Sequence, residues 1–217
     1  MKNRKTFGIL VTHIQRNLFL YVISLLFLCI GIVLGVYTVK YMGEVEKDSL
    51  ISYFLNFTQN IDLSSVDKKH IFLQAIKNNI PIIIGIWFLG LSMLGIPIIL
   101  FIDLIKGFTI GFTTSFVING LGTKGILINI LTIFPQNVIY IPCIIIASAT
   151  AMEFSLMLLK YNGFKNINKN NNLIKVLPYS TIFLFIFGFM ILGFLLESYI
   201  TPSMLKLIVS STGCAFG

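Results

Sequence analysis

Apolar residues fill this chain in long blocks separated by short polar stretches. Five blocks are long enough to cross a bilayer as a helix, which takes about 17 to 25 residues. They cover residues 18–39, 80–102, 104–121, 135–159 and 178–196. In lipid every backbone amide must find its partner inside the segment, so blocks of this length predict helices. The pattern gives an all-α, polytopic membrane helix bundle forming a single integral membrane domain over 1–217, with about five transmembrane helices.

The polar stretches refine this picture. Residues 1–17 carry Lys2, Arg4, Lys5 and Arg16 with no acid, while Phe7, Ile14 and Leu18 keep helical spacing, as in a basic helix lying on a headgroup surface. The apolar run beginning at Leu18 is too long for a signal-peptide core, and Tyr37-Thr38-Val39 offers no small-residue cleavage site. Residues 40–79 hold five lysines and five acids and form the outer loop. Helical spacing after Asp48 and again after Ser64 predicts two short amphipathic helices there. Residues 160–177, with Lys160, Lys165, Lys169 and Lys175, form a basic inner loop. The excess of positive charge puts the amino terminus inside, and five spans put the carboxyl terminus outside.

Small residues mark where helices meet. Gly31 and Gly35 form one GxxxG pair, whose alternative reading is the general abundance of glycine in membrane helices. Gly107 and Gly111 form a second, taken to close a hairpin between spans two and three, and Ala147 with Ala151 repeats the spacing in span four. Pro97 is expected to kink span two. Asp103 and Lys106, three residues apart, read as a solvated, self-pairing turn after it.

The stretch Phe134-Pro135-Gln136-Asn137-Val138-Ile139-Tyr140-Ile141-Pro142-Cys143 has two prolines bracketing an amide pair. The apolar run 126–134 before it is too short to span. It is either a half-helix broken at Pro135 or the start of one long kinked helix ending near Leu159. The side chains of Gln136 and Asn137 serve either their own helix end or a partner.

Composition agrees with a membrane chain: 56% of the 217 residues are hydrophobic and 11% charged. The net charge of +8 sits at the ends of apolar runs and forms no nucleic-acid face. Cys29, Cys143 and Cys214 lie far apart, and His13 and His70 flank spans, so no metal set or disulfide framework arises and no cofactor is expected. No hydrolase or nucleotide motif appears, which argues against an enzyme. Pro/Gly-interrupted helices keep a small transporter or permease-like subunit as an alternative, predicting a polar cavity around Asn129, Gln136 and Asn137.

These residues together resemble the stage II sporulation protein M family: the basic tail before 18–39, the outer helical loop, the glycine-rich stretch Trp87 to Gly111, and above all Phe134 to Cys143. In the wider family the last motif reads Pro-His-Gly, an acid, then Pro-Ala. Here Gln136 and Asn137 stand for His-Gly and Tyr140 for the acid, which removes the titratable groups. The candidate contact residues are thus Pro135, Gln136, Asn137, Tyr140 and Pro142. The resemblance implies a non-enzymatic role in forespore engulfment: a scaffold in the septal and engulfing membranes that anchors two peptidoglycan hydrolases, stage II sporulation proteins P and D. Membrane lipid is the remaining partner, and a homo-oligomer stays open.

Overall fold

The computed structural model describes residues 17–60, 68–92, 94–160 and 169–213. The expected basic helix before residue 17 lies outside them, as do most of the start expected at Ser64 and the centre of the inner basic loop. Six α-helices follow in order: α1 (Leu18–Tyr41), α2 (Glu44–Asn60), α3 (Lys68–Gly90), α4 (Gly95–Ile128), α5 (Phe134–Lys160) and α6 (Lys169–Gly213). A π-helical turn, Asn129–Ile133, joins α4 to α5. Five runs have the length and composition of membrane spans: Leu18–Tyr41, Ile71–Gly90, Gly95–Gly120, Gly125–Lys160 and Val176–Tyr199. The protein is an all-helical, multi-pass membrane bundle.

Two boundaries differ from the sequence reading. The expected second surface helix of the outer loop is the first part of α3, which continues to Gly90. Lys77, Asn78 and Asn79 look like a loop but sit on a helix, with Lys77 and Asn78 exposed and Asn79 turned inward. The turn between spans two and three falls just after Gly90, ahead of Asp103 and Lys106. A Cβ at Gly95 would strike the Leu89 carbonyl, which shows how closely the two helix ends approach. Pro97 therefore stands in the first turn of α4, where its missing N–H costs no bond, and it does not kink span two.

Glycine sets the closest helix pair. The buried residues of α1 are Ser24, Leu28, Gly31, Gly35 and Val39, a single stripe at helical spacing. A Cβ at Gly31 would hit the Leu104 carbonyl, and one at Gly35 the Phe108 carbonyl. From the other side, Gly107 faces the Leu28 carbonyl and Gly111 the Ile32 carbonyl. The two GxxxG pairs thus meet each other, with α1 and α4 parallel. This corrects the expected hairpin role of Gly107 and Gly111: the spacing shows that a close crossing exists, and the faces left free decide the partner. Outside its stripe α1 is apolar and exposed, as at Phe19, Val22, Val33 and Tyr37.

The core lies among α3, α5 and α6, with Ile86, Ile144, Met152, Met190 and Phe194 almost fully enclosed. Ala147 and Ala151 are buried within it, and Ala151 meets α3 where a Cβ on Gly90 would touch its Cα at 3.0 Å. At the same end the Tyr179 hydroxyl donates to the Trp87 carbonyl at 2.8 Å, and Ser155 to the Ser92 carbonyl at 2.7 Å. Phe154 stacks on Tyr179 with centroids 4.4 Å apart.

At the opposite end, Gly122 has φ of 58° and separates span three from the run that follows. A left-handed residue of this kind favours glycine. Ile51 of α2 lies against Gly120 beside this turn, 3.1 Å from where a Cβ would stand.

Candidate functional site

Chemistry starts at the proline stretch. Pro135 has no N–H to offer the Leu131 carbonyl, and its ring crowds that group; the π turn over 129–133 absorbs both effects within one continuous run from Gly125 to Lys160. Of the two sequence alternatives, the long kinked helix is therefore the observed one. The Asn137 amide donates to the Ile133 carbonyl at 2.8 Å, bonding its own helix. Asn129 is buried in the π turn, where its amide donates to the carbonyls of Gly125 and Thr114, both at 3.1 Å. It thereby fastens the π turn to α4. Pro142 lies inside α5 with its ring exposed.

Gln136, Asn137 and Tyr140 turn toward α3, α4 and α6 and line a cavity of about 680 Å³ among the four helices. Asn78, Asn79, Pro81 and Gly85 bring α3 to its wall; Lys106, Thr109 and Thr113 bring α4; Glu197 brings α6. Two charges of opposite sign thus face one space at membrane depth. Lys106 Nζ donates to Asn79 Oδ1 at 2.8 Å, while Glu197 Oε2 accepts from the Tyr140 hydroxyl at 2.6 Å. Each ion is held by a neutral partner. Gln136 Oε1 is enclosed and has no hydrogen-bond partner. Ionisable groups at this depth persist when they are hydrogen-bonded or line a polar cavity, and both conditions hold here.

A second polar centre is fully enclosed. Asp103 has no accessible surface and accepts hydrogen bonds from Ser24 Oγ at 2.6 Å and Ser148 Oγ at 2.7 Å. It ties α1 and α5 to α4. The reading of Asp103 with Lys106 as a solvated, self-paired turn is therefore corrected: Asp103 faces α1 and α5, whereas Lys106 faces α3.

The structure brings Gln136, Asn137 and Tyr140 together and leaves Pro135, Pro142 and Asn129 away from the cavity wall. The sequence reading missed Asn79, Lys106 and Glu197 because each was taken as a boundary marker. The usable signal was Lys106 lying well inside the apolar run from Gly95 to Gly120, with no proline beside it.

Comparison with known proteins agrees with the sequence resemblance. No curated protein and no solved structure matches the chain. A family model described as stage II sporulation protein M matches residues 24–202, from within the first span to just beyond the last. The protein is a sporulation-related membrane protein, and the chain belongs to the stage II sporulation protein M family.

Proposed function

We propose that the protein is a non-enzymatic membrane scaffold of forespore engulfment that anchors the peptidoglycan hydrolases, stage II sporulation proteins P and D, at the septal and engulfing membranes. The family match motivates the reading, and one structural observation carries it. The helix α2 is polar, 17 residues long and carries exposed Glu44 and Glu46 in its first turn; its Ile51 lies beside Gly120 at one end of a bundle whose crossings are fixed by glycine and by buried hydrogen bonds. Such a body carries an acidic helix end that is open to a partner. In this reading the amino terminus is cytoplasmic and α2 lies on the wall side, within reach of enzymes acting on peptidoglycan. The test is co-precipitation of the full chain from sporulating cells, with and without charge reversal at Glu44 and Glu46. Recovery of at least one hydrolase with the native chain and its loss with the reversed helix support the scaffold; recovery of neither hydrolase sinks it.

A second reading is favoured by one observation: the polar cavity that a small transporter would need is present beside Gln136 and Asn137. Solute flux in proteoliposomes that is abolished by Asn137→Ala would favour transport over scaffolding.

A further inference from the structure

We propose that the cavity between α3, α4, α5 and α6 is a binding site for a small zwitterion, with an anionic phosphate or carboxylate on Lys106 and an ammonium on Glu197. Three observations converge on this chemistry. First, opposite charges line the same space and are each bonded to an uncharged residue, Asn79 or Tyr140. An ammonium has three donors and a carboxylate several acceptor positions, so each ion keeps capacity for a ligand beyond the hydrogen bond described. Second, Gln136 brings an amide to the same wall, a neutral hydrogen-bonding group beside the two charges. Third, Gly85 lines the cavity and a Cβ there would meet nothing within 4 Å, so the wall is open where a side chain would otherwise stand.

Two sources carry this chemistry: a free amino acid, or the headgroup of an ethanolamine phospholipid. Beyond the lining residues Gly85 and Ile102, α3 and α4 carry exposed apolar side chains, Phe88 on α3 and Phe101 with Ile98 on α4, which suits acyl chains. The ligand's charges are satisfied inside the protein in either case.

Native mass spectrometry of the purified full-length protein provides the test. The probes are dioleoyl phosphatidylethanolamine, dioleoyl phosphatidylglycerol with the same chains but no ammonium, and, in a separate arm, L-alanine by equilibrium dialysis. The expected result is retention of the ethanolamine lipid over the glycerol lipid, or saturable alanine binding, by about tenfold, the effect of one charge-assisted hydrogen bond. Lys106→Met weakens retention of both lipids, or of alanine. Glu197→Gln removes the preference for ethanolamine over glycerol, a change of selectivity that mere loss of packing would not produce. Gly85→Leu starts from a position where a Cβ meets nothing within 4 Å and is expected to block the site. Equal retention of the two lipids with no alanine binding overturns the proposal. So does a preference that survives both Glu197→Gln and Gly85→Leu.

Discussion

Ser148 donates a hydrogen bond to Asp103 at 2.7 Å, joining span four directly to span three with both side chains enclosed. The other carboxylate oxygen receives Ser24 of span one. Replacing Asp103 by Leu strands two hydroxyls and is expected to destabilise the bundle by about 1–3 kcal/mol, the usual cost of buried groups left unpaired. Asp103→Asn keeps an acceptor and a donor for the two serines and should lose less. Thermal unfolding of the purified protein in detergent checks the order, which fails if Leu is tolerated as well as Asn.

The glycine crossing predicts a sharp dependence on position. Gly107→Ala and Gly111→Ala place a methyl group against the backbone of α1, and overpacking of this kind costs about 1–3 kcal/mol. Gly111→Leu should disturb accumulation in the membrane far more than Cys143→Ser, a change of one atom in a buried side chain. Gly85→Ala and Gly188→Ala, where a Cβ meets nothing within 4 Å, serve as controls and should accumulate normally. Immunoblots of membrane fractions read all of these.

Tyr140 and Glu197 form a pair whose two members are best removed together. Tyr140→Phe deprives a carboxylate at membrane depth of its donor and should cost about 1.5–3 kcal/mol, as for hydrogen bonds to charged groups. In a Glu197→Gln background the same change should cost less, giving a coupling of about 1 kcal/mol in a double-mutant cycle. Additive effects would show that the hydroxyl does not act through Glu197.

Gln136 is expected to behave in the opposite sense. Its enclosed oxygen has no partner, so Gln136→Leu should leave stability unchanged or raise it by up to about 1 kcal/mol, because an unsatisfied polar atom is removed. A clear fall in the unfolding temperature would mean that the oxygen is satisfied in the membrane-embedded protein.

The number of spans, their helical character and the small residues at the crossings were legible because lipid leaves the backbone few options and close approach needs small side chains. Pairing was less legible: Gly107 and Gly111 announce a contact, yet only the stripe from Ser24 to Val39 identifies α1 as its other half. Asp103, Lys106 and Glu197 misled for a physical reason. A single charge in an apolar run looks like an interface, and only its partners distinguish a water-facing residue from an enclosed one. Ser24 and Ser148, both in the interior of apolar runs, were the available hint for Asp103. The cavity was half legible, since Gln136, Asn137 and Tyr140 stood out together while Asn79, on another helix, had nothing in its own neighbourhood to mark it.

The parallel contact of α1 with α4 also bears on how the chain is made. During synthesis α1 enters the membrane with its glycine groove empty, and the helix that fills it emerges only after α3 has crossed back. Until then nothing but lipid covers Gly31 and Gly35, and Ser24 waits for an acid that has yet to be translated. That contact can therefore close only late, because it joins the earliest helix to a middle one.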